Sequence, residues 1–314
     1  MAPPNAPGES RLALSAGIGA YVIWGLVPLV FQLIGRLGVS PWEILAHRTV
    51  WAVPAALLFV AAARQWPQLR AVLASPRTLS WLAVSAALIA ANWMIFIWAV
   101  NSGRVLETSL GYYINPLLNM GAGALVFRER IDGAGKAAIS LAGVGVALQA
   151  LALGHLPLVS LALAISFCGY GIVRKRVAAE AQSGLLVECL YLAVPSLLLL
   201  AWLQARGLAQ GTASPVAFFW LVACGPLTAL PLMLFSWAAR RVPLSAMGFL
   251  QFIAPTMTFV MGLMQGEAFT PLRAISFVFI WIGAAIFAYG AWRRARRATV
   301  TPVAEAQPAE RSAA

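Results

Sequence analysis

The chain has 314 residues, of which 61% are hydrophobic and only 10% charged, with a net charge of +12 and a mean hydropathy of +0.82. A soluble domain carries about twice that share of charge, so the composition excludes a soluble enzyme or binding module and predicts an all-α integral membrane protein. The surplus of cations does not signal nucleic acid, because Lys and Arg lie scattered between apolar runs and build no basic, aromatic-rich face.

Residues 1–11, opening MAPPNAPGES, read as a polar tail. The first apolar run, 12–34, exceeds the roughly 7–15 residues of a signal-peptide core and is expected to remain as a span. Nine more runs follow, at 42–63, 79–100, 105–127, 135–153, 156–173, 184–205, 215–238, 244–265 and 272–292. Each has about 18–23 residues, the length that crosses roughly 30 Å of hydrocarbon as helix. Residues 293–314 begin with four arginines and trail into an Ala/Pro-rich tail. Seventeen Lys and Arg fall on the side of the N-terminus, against four on the other side (Arg36, Arg104, Arg206, Arg273). This alternation, loop by loop, predicts both termini in the cytoplasm.

The second run, SPWEILAHRTVWAVPAALLFVAAA, carries Glu43, His47 and Arg48. Glu43 and His47 are four apart, share a helical face and are placed to pair. Arg48 turns about 100° away from His47 and sits about 9–10 Å into the span. An ionised group at that depth costs at least a few kcal/mol, and two readings are open. The trio staples helices together, or it lines a polar cavity in which Arg48, with its planar fork, takes an anionic or carbonyl-bearing group.

The third run adds Asn92 and Trp93; Asn92 either hydrogen-bonds a solute or staples helices, and Trp98, like Trp237 in the eighth run, suits an interfacial belt. In the ninth, Gln251, Pro255, Thr258, Gly262 and Gln265 recur at steps of 4, 3, 4 and 3, one helical face. The matching face of the fourth holds Tyr112, Pro116, Asn119, Gly123 and Val126, with Asn115 on the same face and Glu107 near its end. Such a stripe packs against a helix or lines a wet cavity, and the polar members favour the cavity. The fifth and tenth runs, rich in small residues, read as scaffold. Glu188 opens the seventh run; it is either interfacial or, with His47, a candidate for proton exchange.

The second part of the chain echoes the first. MIFIWA at Met94 matches MLFSWA at Met233, an offset of 139 that also sets Pro255 under Pro116 and Gly262 under Gly123. WAVPAALL at Trp51 matches LAVPSLLL at Leu192 at an offset of 141, which sets Glu188 opposite His47. Two five-span repeats, 12–153 and 154–292, are expected. Because five is odd, they enter the membrane in opposite senses, an architecture of secondary transporters with the site near the midplane and Pro or Gly interruptions beside it.

AYVIWG at Ala20, EILAHR at Glu43, NW and FIWAVNSG from Asn92, and LETSLGYYINPL from Leu106 resemble the RarD group of EamA-type permeases, in the drug/metabolite transporter superfamily. The resemblance covers the chain apart from its tails. It implies ten helices in two inverted repeats, a central cavity, the bacterial inner membrane, and transport of small organic solutes, often as export. The group's name is linked to chloramphenicol sensitivity. Acidic residues close the fourth and ninth spans in the family pattern, matched here by Glu129 and Glu267, with the repeat slipping by one residue between them.

The expected function is a secondary permease working by alternating access, with protons as a candidate coupling ion and no cofactor or metal. Cys168, Cys189 and Cys224 lack CxxC spacing, and two histidines supply no ligand cluster. The alternative is an intramembrane enzyme acting on a lipid or other hydrophobic substrate, but HExxH, GxSxG and P-loop patterns are lacking. The oligomeric state stays open. The candidate solute contacts are Glu43, His47, Arg48, Asn92, Tyr112, Asn115, Asn119, Glu188, Gln251 and Thr258.

Overall fold

The computed structural model describes residues 7–128, 132–154, 156–239 and 250–300, and among these every regular element is helical. In chain order they are α1 (Pro7–Arg36), α2 (Pro41–Ala62), α3 (Trp66–Leu73), α4 (Pro76–Asn101), α5 (Val105–Phe127), α6 (Gly133–Leu153), α7 (Leu158–Arg176), α8 (Ala181–Ala205), α9 (Pro215–Ala239), α10 (Ile253–Met264) and α11 (Pro271–Val300). Six are long and apolar enough to cross a membrane, within α1, α2, α4, α6, α8 and α9, and shorter apolar stretches lie in α7, α10 and α11. Their outward faces carry large bare apolar side chains such as Leu58, Leu125 and Leu198, while Arg48, Ser85, Asn92, Glu188 and Thr228 are buried. Apolar outside and polar within is the arrangement lipid selects.

Local chemistry sets the starts. Ser40 caps α2, its Oγ accepting the Glu43 N–H at 3.2 Å, and Pro41 occupies the first turn where no N–H is needed. Ser75 and Pro76 repeat the device at α4. Asp132 caps α6 through the Gly135 N–H at 2.8 Å, and Gly154 ends it at φ 70°, a left-handed turn that glycine adopts without strain.

Two local details depart from the sequence reading. The 64–78 connection holds a helix of its own, α3, which buries Leu69 and Val72 against its neighbours; a two-residue apolar stripe is too short to register as a span. In the ninth run the described helix begins only at Ile253, and Gln251 lies in the turn before it. Pro255 has no N–H to donate to the Gln251 carbonyl, so the helix cannot include that residue in a regular turn. Gln251 is therefore not on the helical face that carries Thr258.

The extensive packings join helices α1–α6 to helices α7–α11: α6 with α11, α2 with α8 and α9, α1 with α9 and α10, α5 with α7 and α10, and α4 with α7 and α8. Glycines permit the tightest of these. A Cβ on Gly145 would stand 2.8 Å from the Ser276 carbonyl, and one on Gly283 2.9 Å from that of Ala138, so α6 and α11 meet backbone to backbone. One buried hydrogen bond, Ser276 Oγ to Gln149 Oε1 at 2.7 Å, locks that pair. Outside this pair, both helices pack on α5.

Candidate functional site

The trio on α2 divides into three separate tasks. Glu43 does not pair with His47. Its carboxylate accepts the backbone N–H groups of Gly211 (2.8 Å) and Gln210 (3.2 Å), in the connection between α8 and α9. Two otherwise unmet donors in a buried turn hold an anion better than one imidazole a helical turn away. Gly211 is required there, because a Cβ would stand 2.8 Å from Glu43 Oε1 and still closer to Leu221. Glu43 is thus a clasp between two parts of the bundle. His47 instead meets the edge of Phe218 with ring centroids 6.2 Å apart, and its Nδ1 is buried without a partner.

Arg48 points to the middle of the bundle. Its Nε donates to Thr228 Oγ1 at 2.9 Å, and its guanidinium lies 4.2 Å from the centroid of the Trp93 ring and 5.4 Å from that of Phe31. Thr228 in turn donates to the Cys224 carbonyl at 2.8 Å, so its oxygen is oriented with a lone pair toward Arg48. Arg48 forms no ion pair with a carboxylate among the described residues. The terminal nitrogens of Arg48 have no hydrogen-bond partner among the described residues and are not among the fully enclosed atoms. Helices α1, α2, α4 and α9 therefore converge on Arg48, whose two terminal nitrogens have no partner among the described residues.

Glu188 is buried inside the bundle. It is 2% exposed and accepts from Ser85 Oγ of α4 at 2.5 Å, with Arg174 of α7 3.6 Å away and the Tyr170 hydroxyl at 3.5 Å. Cys189, the next residue in α8, is a buried free thiol. Asn92 staples: its amide donates to the Leu163 carbonyl (2.9 Å) and Ser166 Oγ (3.0 Å) on α7, while its oxygen receives the Tyr112 hydroxyl at 3.4 Å. Tyr112 packs edgewise on Phe96 and Phe167. On the same α5 stripe Asn115 is buried with its Oδ1 unpartnered, and Asn119 is exposed beside α7, its Oδ1 3.7 Å from a Cβ built at Gly171. Thr258 is buried and turned back onto its own helix, to the Ala254 carbonyl at 2.9 Å. Gln265 leaves the stripe to pair with Gln32 of α1 through two bonds of 2.9 and 2.7 Å.

The structure thus places Arg48 in the interior, sets Asn92 beside Tyr112, and puts Glu188 with Ser85 and Arg174. Gln251 and Glu43 stand apart. Glu129, the side chains of Pro116 and Trp237, and the side-chain surroundings of Gly123 lie outside the described residues. Sequence reasoning missed Thr228, Ser85 and Tyr170, single hydroxyls with no spacing signal.

Two further clasps resemble that of Glu43. Glu267, between α10 and α11, accepts the first N–H groups of α5, from Val105 (2.5 Å) and Leu106 (3.0 Å), at the end of the bundle that carries Ser40. Burial pushes its pKa up, against the pull of those donors. At the other end Gln65 bridges Gln182 and Ser183 in the first turn of α8, each at 2.9 Å. Replacing Glu43 by Gln leaves one acceptor and sets an NH2 against an N–H donor. Hydrogen exchange at Gln210 and Gly211 should then accelerate by roughly tenfold or more while the Gln182–Ser183 turn is unchanged; equal rates in the variant would remove the clasp.

The EamA-like transporter family model matches residues 11–151. An uncharacterized transporter of Pseudomonas aeruginosa is 43% identical over 302 residues, covering 93% of this chain and 98% of its own length. Protein RarD of Streptomyces exfoliatus is 40% identical over 295 residues, 93% of each chain. A solved protein structure with 21% sequence identity shares the fold at a TM-score of 0.59, over 90% of this chain and 98% of that one. With relatives of this identity along nearly its whole length, and an apolar helical bundle closed around a buried cation, the chain belongs to the EamA-like transporter family as a RarD-type permease, a multi-pass membrane transporter.

Proposed function

We propose that the chain is a secondary transporter of small organic solutes that works by alternating access between two inverted halves, 12–153 and 154–292, with Arg48 at the solute site. The observation that carries this reading is the pairing of helices. Leaving α3 aside, exchanging the five helices of each half in order turns the α1–α9 packing into α4–α7, α1–α10 into α5–α7, and α2–α9 into α4–α8, and it returns α2–α8, α5–α10 and α6–α11 to themselves. A bundle whose main contacts all run between two such halves can rock one against the other around a fixed centre. The clasps then close alternate ends: Glu43 and Glu267 one end, Gln65 the other.

In this reading the termini are cytoplasmic in a bacterial inner membrane, from the distribution of Lys and Arg. The direction is export, of a metabolite or of a drug such as a chloramphenicol-like compound. His47 and Glu188 are the intramembrane groups through which protons would couple. Purified protein in liposomes tests the function: gradient-driven accumulation of unchanged solute supports it, and appearance of a chemical product favours an intramembrane enzyme. Imposing a pH gradient tests the coupling, which His47→Ala should abolish. Flux indifferent to uncouplers marks facilitated diffusion or exchange.

Topology is checked independently. Cysteines placed in 64–78 and 177–181 should react only with cytoplasmic reagent, and those in 207–214 only from outside. Reaction of both sets from one face would dismantle the inverted arrangement.

A further inference from the structure

We propose that the solute held at Arg48 is an organic monoanion, a carboxylate on an apolar or aromatic body. The inference rests on the reading of Arg48 as the solute site and adds the charge and character of what binds there. Arg48 is 8% exposed and forms no ion pair with a carboxylate among the described residues. The two carboxylates that might have neutralised it are committed elsewhere: Glu43 to the backbone of Gln210 and Gly211, and Glu188 to Ser85 and Arg174.

A guanidinium in a low-dielectric interior without a counter-charge is unstable relative to one that has it. A neutral carbonyl would satisfy the free N–H groups and leave the charge uncompensated. A carboxylate does both, since its two oxygens match the fork of the two terminal nitrogens.

The same arrangement limits the charge to one. Nε is occupied by Thr228, which leaves one edge of the guanidinium for the ligand. A second anionic group would approach the buried Glu188 side or the aromatic wall instead of another free cation. His47, on α2, faces Phe218. Trp93 covers the guanidinium face, and Phe31, Phe96 and Tyr112 continue the wall, so the body that follows the carboxylate meets flat apolar surface. Aromatic walls reward an apolar body and exclude a strongly hydrated inorganic ion.

The test uses the full chain purified in detergent, with sodium benzoate as the probe, its neutral isostere benzamide, the dianion phthalate, and chloride held constant. Calorimetric titration should give benzoate an affinity roughly tenfold or more above both analogues. Arg48→Gln should erase the difference, and Arg48→Lys should keep the order benzoate over benzamide at reduced affinity. Size-exclusion profiles matched to the wild type establish that each variant is folded. Benzamide within about threefold of benzoate, phthalate binding as tightly as benzoate, undetectable benzoate binding, or unchanged benzoate affinity in Arg48→Gln would each overturn the proposal. Binding needs no transport. Benzoate selectivity without flux in liposomes would refute the transport mechanism and leave the charge assignment standing, and flux without benzoate selectivity would do the reverse.

Discussion

Arg48→Leu should insert and fold at near-normal levels yet transport at least about a hundredfold more slowly. The argument turns on what the substitution leaves behind. Deleting one member of a buried ion pair is severe because the partner remains charged and alone, at about 3–5 kcal/mol. Arg48 has no such partner among the described residues. Thr228 Oγ1 loses a donor but keeps its own bond to the Cys224 carbonyl, and Trp93 and Phe31 lose the guanidinium and face a shorter apolar side chain.

Glu188→Leu makes the contrast. It removes the counter-charge of Arg174 and the acceptor of Ser85, and it should lower yield as well as flux. Flux in liposomes and monodispersity after heating, measured on both variants, separate the two roles. Should Arg48→Leu misfold and be rescued by Glu43→Gln, the trio would be a structural staple and the solute site would belong to the Tyr112–Asn119 stripe. The geometry argues against that, since Glu43 is bonded to Gln210 and Gly211 and not to Arg48.

How much of this was legible beforehand depends on the range of the interaction. Hydropathy, a property of 20-residue windows, placed the long helices within a few residues, because burial of backbone in lipid admits little else. The charge of Arg48 flagged the central site for the same reason. Within that frame, residues four apart were expected to pair, and Glu43 and His47 did not. The competing donors sit 167 and 168 residues away at Gln210 and Gly211, and no local pattern announces them. Asn92 posed a choice between solute and staple. The staple could be read only once α7 brought the Leu163 carbonyl to 2.9 Å. Thr228 is one hydroxyl among many until α9 crosses α2, and Gln251 left its stripe because Pro255, four residues on, has no N–H to donate to its carbonyl.

Gly225→Ala should damage assembly and transport together, although alanine is the better helix former by about 1 kcal/mol. A Cβ at Gly225 of α9 would press into the Trp51 carbonyl of α2, closer than any real contact, and would stand 2.8 Å from the Trp51 Cβ. The obstacle is backbone, not the end of a flexible side chain, so α2 and α9 must separate. Overpacking of this kind costs about 1–3 kcal/mol, which exceeds the gain in propensity. The same crossing carries the Arg48–Thr228 bond, one helical turn away on both partners, and a bond of 2.9 Å does not survive a displacement of an ångström. Gly169→Ala is the matched control, because its Cβ would find its nearest neighbour, a Leu88 methyl, at 3.5 Å, an ordinary contact. Residual monomer after heating should fall for Gly225→Ala and hold or rise for Gly169→Ala. If both variants keep wild-type stability and flux, the close approach of α2 and α9 is not what positions Arg48.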